Sequence, residues 1–161
     1  MKRLAMTRSE SSTGLPGTAS LLTEMYSPGV YRLVSRSRPN AILDTVAGWG
    51  WHATYINGKM VHDKSTFLDA AAQALAFPDY YGRNWDAFEE MINDLSWIPA
   101  PGYLILYDYV HHFAAAQPDA WQIALAIFQS ACHNWQHQGI PFHVLLRHNW
   151  RWNRHLPVLA A

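Results

Sequence analysis

One stretch of the sequence decides the fold: residues 77–90 read FPDYYGRNWDAFEE. Pro78 interrupts the helical pattern that precedes it, and Asn84 is a favourable N-cap for a helix that runs to about residue 95. Apolar residues in this helix recur at i, i+3, i+7 and i+10, which predicts a buried stripe. That stripe consists of Trp85, Phe88, Ile92 and Leu95. We interpret the stretch as a loop that leads into an amphipathic helix.

The remaining surface of this helix is acidic. Asp86 and Glu90 lie four residues apart and share a face, where like charges weaken a helix by a few tenths of a kcal/mol. Residues 79–94 contain five acids and one base, Arg83. An acidic face that opposes folding is typical of a binding surface for a basic partner. An ordinary solvated helix face is the alternative that charge alone leaves open.

Apolar runs alternate with helical patterns along the chain. Strands are predicted at residues 51–56, 103–107 and 142–146, with residues 30–34 as a candidate fourth. Further helices are predicted at residues 41–47 and 66–75, and from Pro118 to Gly139. Asn40 is a candidate cap for the first of these, and Thr66 and Asp69 have capping-box spacing at the start of the second. We therefore predict an α/β fold, with a small parallel sheet of three or four strands flanked by helices.

Charge is distributed unevenly although the formal net charge is zero. Six of the twelve basic residues precede Pro39, and three follow Leu146. Residues 39–146 contain three bases and ten acids, which gives this span a formal charge of −7. Such an acidic body favours a basic protein partner and argues against direct binding of nucleic acid.

Composition indicates one folded domain outside a secretory route. Half of the 161 residues are hydrophobic, which is ample for a core, and the single cysteine, Cys132, is expected to serve packing. The basic start of the chain is not followed by an apolar run of signal-peptide length. No apolar stretch approaches the roughly 20 residues of a membrane span. We expect a cytoplasmic protein that makes no contact with a membrane.

Other chemistry is poorly supported by the sequence. His133 and His137 have helical i, i+4 spacing, and His111 and His112 precede that helix, but there is no His-Glu-x-x-His pattern and no second cysteine. We therefore expect no metal site and no stoichiometric zinc. No glycine-rich phosphate loop is present, and an acid–base pair on a solvated helix would lack an enclosing pocket. The prediction is a protein with no catalytic residues and no cofactor.

The segment at residues 78–87 resembles the barstar family, whose signature reads Pro-acid-Tyr-Tyr-Gly-x-Asn-x-Asp-Ala. The residues that match without a gap are Pro78, Asp79, Tyr80, Tyr81, Gly82, Asn84, Asp86 and Ala87. Weaker similarity extends over residues 51–147, where we expect a barstar-like domain. The remainder is expected to form a flexible arm at 1–28, a strand–helix extension at 29–50 and a tail at 148–161.

The resemblance implies an inhibitor of a ribonuclease. Barstar places this loop and helix in the active site of barnase, where its carboxylates replace the phosphates of RNA. The expected partner is a basic ribonuclease or a related nuclease toxin. The expected partner-binding residues are Tyr80, Gly82, Asn84, Trp85, Asp86, Glu89, Glu90 and Asn93. A regulatory or scaffold module that reuses the fold without a nuclease partner is the alternative.

Four positions depart from barstar. Glu90 stands where barstar has Asp, and Glu89 stands where barstar has Trp. Trp85 replaces an aliphatic residue, and the uncharged Asn134 falls near an acidic position of the last long helix. These departures bear on the identity of the partner.

Overall fold

The computed structural model describes Leu22, residues 26–148 and residues 151–160. The strands in this part of the chain are β1 (Val30–Val34), β2 (His52–Asn57), β3 (Tyr103–Asp108), β4 (Phe142–Leu146) and β5 (Val158–Ala160). The helices are α1 (Pro39–Ala47), α2 (Lys64–Ala74), α3 (Trp85–Asp94), α4 (His111–Ala116) and α5 (Pro118–His137). The strands form one sheet in the order β2-β3-β4-β1-β5, and all neighbouring strands are parallel. The predicted α/β fold is confirmed, with five strands in place of three or four.

Each face of the sheet has its own hydrophobic core. Helices α2 to α5 cover one face, where Ile105, Tyr107 and Val144 are buried against them. Helix α1 covers the other face and buries Ile42 and Val46 in a cluster with Leu104, Leu106 and Leu145. Successive residues of β3 therefore enter opposite cores, since side chains alternate along a strand. This arrangement explains why the predicted strand at 103–107 is apolar at almost every position.

The end of the chain belongs to the sheet, so the prediction of a tail at residues 148–161 is wrong. Strand β5 pairs with β1, with Leu33 opposite Leu159. Leu156 is buried, and Asn153 accepts a hydrogen bond from Trp121 Nε1 at 2.9 Å. These buried residues fix the segment, but three strand residues are too few to show a periodic pattern in the sequence.

The predicted arm at residues 1–28 is also too long at its C-terminal end. Leu22 is buried in the core beneath α1. Tyr26 packs edge-on against Tyr31, with ring centroids 5.4 Å apart. Residues 1–21 and 23–25 lie outside the described residues, and so do 149, 150 and 161.

Two helix starts differ from those predicted. Helix α1 begins at Pro39, and its N-cap is Arg38, which makes no side-chain capping hydrogen bond. Helix α2 begins at Lys64 because Asp63 is the N-cap and accepts a hydrogen bond from the Thr66 amide at 2.8 Å. The Thr66 hydroxyl accepts a hydrogen bond in return from the Asp63 amide at 3.2 Å. Thr66 is thus the third helical residue of a capping box and not its N-cap, so the helix begins about one turn before the predicted start.

A buried ion pair joins the carboxyl ends of β3 and β4. Arg147 donates from Nε and Nη2 to the two carboxylate oxygens of Asp108, at 2.6 and 2.7 Å. The Tyr55 hydroxyl donates to the same carboxylate at 3.0 Å, and Arg147 Nη1 donates to the Ser37 carbonyl at 2.8 Å. Burial, and next the hydrogen bond to Asp108, raise the pKa of Tyr55 to about 12. The free-energy cost of removing the two charges from water is offset by the bidentate geometry and by the hydrogen bonds to the remaining polar groups.

The buried imidazole of His143 predicts a loss of stability in acid. His143 lies on β4 beside Trp51, and neither ring nitrogen has a hydrogen-bond partner among the described residues. Burial lowers the pKa of His143 to about 4. Below pH ~6.5 the unfolded chain binds a proton there that the native protein does not, so the free energy of unfolding falls, by about 2 kcal/mol at pH 5 from this group.

Urea unfolding at pH 7 and pH 5 measures this effect. In His143→Phe the part of the pH dependence that this residue causes should disappear, and His155→Gln, at an exposed position, is the control. An unchanged pH profile in His143→Phe would contradict the assignment.

Candidate functional site

Helix α3 is fixed to the core by one face. Phe88 and Ile92 are fully buried, and Phe88 packs edge-on against Phe67 of α2, with ring centroids 5.4 Å apart. Trp135 of α5 donates from Nε1 to the carbonyl of Ile92 at 2.9 Å. The predicted stripe is buried at Phe88, Ile92 and Leu95, while Trp85 is only partly buried. This packing sets the orientation of the opposite face.

The start of α3 is held by a side-chain cap, as predicted. Asn84 Oδ1 accepts a hydrogen bond from the Ala87 amide at 2.8 Å, and Asn84 Nδ2 donates to the Gly82 carbonyl at 3.2 Å. A Cβ atom on Gly82 would lie only 3.2 Å from Asn84 Nδ2. Gly82 and Asn84 therefore lock the loop onto the first turn of the helix.

The two adjacent tyrosines of the loop have different environments. Tyr81 packs edge-on against Phe77 with ring centroids 4.9 Å apart, and burial, with a smaller effect from Asp69, raises the pKa of Tyr81 to about 12. Tyr80 is 72% exposed. Tyr81 therefore anchors the loop, while Tyr80 is available to a partner.

Arg83 is directed away from the acids of α3. Its backbone has a φ of 49°, in the left-handed region that non-glycine residues seldom adopt. Its Nη2 atom lies 2.7 and 2.8 Å from the two carboxylate oxygens of Asp69 on α2. The single base among residues 79–94 is thus paired with an acid outside that stretch, so the carboxylates of α3 lose their nearest candidate counter-ion.

The carboxylates of α3 form an exposed acidic surface. Asp86, Glu89 and Glu90 are exposed and form no ion pair within the part of the chain that the structure describes. Asp86 lies in the first turn, where the helix dipole favours negative charge. The surface continues onto α5, because Asn134 Nδ2 donates to Asn93 Oδ1 at 3.0 Å.

The structure gathers seven of the eight predicted residues on this surface. Exposed members are Tyr80, Gly82, Asn84, Asp86, Glu89 and Glu90, and Asn93 is half-buried at the border with α5. The eighth, Trp85, lies half-buried below the surface, between Phe67 and the Lys64 ammonium group. We name the seven residues the acidic surface.

Beside the acidic surface is a cleft that sequence reasoning did not find. It has a volume of about 470 Å³, and its lining includes Lys64, Leu68, Arg83 and Gln117. These residues come from α2, the loop and the start of α5, so no local motif signals it. The cleft brings the cationic side chains of Lys64 and Arg83 together with the carboxylate of Asp63.

Helix α5 carries two histidines that contact each other. His133 and His137 are paired, with their Nε2 atoms 3.0 Å apart. No group of three or more metal-ligating side chains occurs among the described residues. No helix in that part of the chain is long and apolar enough to cross a membrane.

A family model described as Barstar (barnase inhibitor) matches residues 51–147. The chain belongs to the barstar family. The match extends from the residue before β2 to the residue after β4, so it contains the whole acidic surface of this barstar relative. Strands β1 and β5 and helix α1 lie outside the match, although both strands belong to the same sheet. No curated protein sequence matches the chain.

Removing the Asn84 cap should destabilise the protein. Asn84→Ala leaves the Ala87 amide without its acceptor, and we expect the free energy of unfolding to fall by about 1 kcal/mol. Asn84→Asp keeps an acceptor at the same place and should remain within about 0.5 kcal/mol of wild type. Urea denaturation of the three proteins measures the difference, and equal stability of Asn84→Ala and wild type would show that the cap is unimportant.

Proposed function

We propose that this chain is a non-catalytic inhibitor that binds a basic ribonuclease, or a related nuclease toxin, in the cytoplasm. One observation carries the proposal: Asp86, Glu89 and Glu90 are exposed without ion-pair partners in the described structure, on a helix that is fixed at its cap and along its core face. The acidic surface is therefore preorganised, and little conformational entropy is lost when a partner binds.

The chemistry of a ribonuclease active site complements this surface. Such a site gathers Arg, Lys and His side chains around a phosphate, and carboxylates at fixed positions satisfy the same donors through charge-assisted hydrogen bonds. Opposite charges also increase the rate of encounter. The barnase–barstar pair shows the same complementarity between a cationic active site and carboxylates.

The border with α5 favours a partner that differs from barnase. Asn93 donates to the Glu89 carbonyl at 2.7 Å and accepts from Asn134, and Asn134 stands near the position where the resemblance leads us to expect a carboxylate on α5. Amides offer both donors and acceptors, and they do not require a cation opposite them. We infer that the partner presents a polar, uncharged group there, while its cations face α3.

Removing a carboxylate from α3 should weaken partner binding without unfolding the protein. We expect Asp86→Ala and Glu90→Ala each to cost about 2–5 kcal/mol of binding free energy, because a buried cation of the partner is left unmatched. Stability should change by no more than about 0.5 kcal/mol. Asp44→Ala is the matched control, since Asp44 is an exposed acid of α1 on the opposite face of the sheet.

The partner is first captured from native lysate, with Glu90→Lys as the negative control, and its ribonuclease activity is measured. Calorimetry with the purified nuclease then gives the affinities, and thermal melts give the stabilities. If Asp86→Ala and Glu90→Ala bind and inhibit that nuclease as wild type does, the acidic surface is not the binding site. Capture of a protein without nuclease activity would favour the scaffold alternative.

Tyr80 should contribute through contact area. Because Tyr80 is exposed, Tyr80→Ala is expected to weaken binding by about 1–2 kcal/mol through loss of an aromatic contact. The loss should be similar at low and high salt, whereas the effect of Asp86→Ala should shrink as salt screens the charges. Association rates measured across a salt series separate the two residues, and an equal salt dependence would contradict the assignment.

A further inference from the structure

Four groups that can carry positive charge surround the ring of Tyr109. The Lys59 ammonium nitrogen lies 4.6 Å from the ring centroid, and the His148 ring stacks on Tyr109 with centroids 4.5 Å apart. The rings of His111 and His112 lie 6.4 and 6.5 Å away. We name these five residues the histidine cluster. They come from the turn after β2, from the segment after β3 and from the segment after β4, and none belongs to the acidic surface.

The histidine cluster has no free carboxylate beside it in the described structure. The nearest acid in the chain, Asp108, is buried and accepts hydrogen bonds from both Arg147 and Tyr55. The hydrogen bonds from Arg147 and Tyr55 therefore occupy the carboxylate that lies closest to the cluster in the sequence. An uncompensated group of cationic side chains opposes folding through like-charge repulsion, and a bound anion would relieve that repulsion.

The position of the cluster in the sheet is that of a ligand site. Its residues follow the carboxyl ends of β2, β3 and β4. The connection after β3 leads to α4 on one face, whereas the connection after β1 leads to α1 on the other face. Open parallel sheets bind ligands in the crevice where the connections of neighbouring strands diverge. In this sheet that crevice lies between β4 and β1, and His148 of the cluster follows β4. The exposed residues Arg36 and Arg38 in the β1–α1 connection add positive charge to the same edge.

Backbone strain occurs at the same place. Tyr109 and His148 have φ values of 58° and 52°, in the left-handed region. Tyr109 directly follows β3, and Arg147 alone separates His148 from the end of β4. The two rings are stacked with an interplanar angle of 10°. The His111 imidazole Nδ1 contacts the His148 carbonyl at 2.5 Å. Strained residues of this kind are concentrated at binding sites, where the surrounding structure holds them in place.

We propose that the histidine cluster binds the phosphate group of a nucleotide or of RNA. A phosphate carries between one and two negative charges near neutral pH and presents three acceptor oxygens. Lys59 and the three histidines supply donors from separate segments of the chain. This arrangement suits a phosphate group, which has several acceptor oxygens, better than it suits a single carboxylate. The inference is independent of the acidic surface, which repels phosphate.

Proton uptake should accompany binding. Partial burial, then the neighbouring His111 and Lys59, lower the pKa of His112. A bound phosphate would oppose these effects and favour the protonated form of His112, while Asp108 and Arg147 already neutralise each other. Binding should therefore strengthen as the pH falls from 8 to 6, where histidine gains charge.

Calorimetric titration of the full chain tests the proposal, with pyrophosphate, ADP and a short single-stranded RNA as probes. We expect a dissociation constant below about 1 mM for pyrophosphate at pH 6, and binding roughly tenfold weaker at pH 8. Lys59→Gln and His148→Asn should each weaken binding at least about fivefold, since each removes a cation next to the phosphate. Asn tolerates the left-handed backbone at position 148, so this variant should fold.

Lys64→Gln is the matched control, because its ammonium group lies over Trp85, away from the cluster. Thermal melts verify that all variants are folded. Tighter binding of ADP than of RNA would identify a free nucleotide as the source of the phosphate, and the reverse would identify RNA. Absence of binding of all three probes up to about 10 mM at pH 6, or an equal loss in Lys64→Gln and Lys59→Gln, would overturn the proposal.

Discussion

The buried pair between Asp108 and Arg147 is the constraint around which the sheet is arranged. Asp108 is 2% exposed and Arg147 is 6% exposed, so each charge would be strongly disfavoured without the other. Through Tyr55 and the Ser37 carbonyl, the pair also reaches β2 and the connection after β1. Four successive strands of the order β2-β3-β4-β1 are therefore tied together at their carboxyl ends, and a slip of one strand would leave a charge unmatched.

Folding and binding are separated on helix α3. Phe88 and Ile92 hold the helix against α2 and α5, and Asn84 fixes its first turn. None of these interactions uses a carboxylate, so the acids are free of any structural task in the described part of the molecule. The charge of Arg83, the single base among residues 79–94, is directed to Asp69 and not to these acids. Helix α3 can therefore carry an acidic face that mildly opposes helix formation, because the stability of the helix comes from its buried face.

The sequence predicted features that depend on local patterns. Residues 30–34, the apolar run at 103–107 and the Asn84 cap were located correctly because strand length, burial and capping leave short-range patterns.

The start of helix α2 was predicted at Thr66, about one turn too late. Thr66 was taken for the N-cap because the residue at the third position of a capping box is of the same type as an N-cap, and Asp63 was overlooked. Helix α4 and strand β5 are too short for periodicity to reveal them. Of the eight predicted surface residues, five lie in the contiguous motif at 78–87, and three lie beyond it on helix α3. The Arg83–Asp69 pair, the cleft beside Lys64 and the histidine cluster join distant segments, so only the strand order brings them together.

The position of β1 has a consequence for biosynthesis. This strand is synthesised before the other strands that the structure describes, yet both of its neighbours, β4 and β5, are synthesised more than a hundred residues later. Until residues 142–146 emerge, the nascent chain carries an apolar strand with two unpaired edges, and such a strand is prone to non-native association. Pairing over this sequence separation also carries a high loop-closure entropy, which slows folding. The sheet is therefore completed only after β4 and β5 have been synthesised.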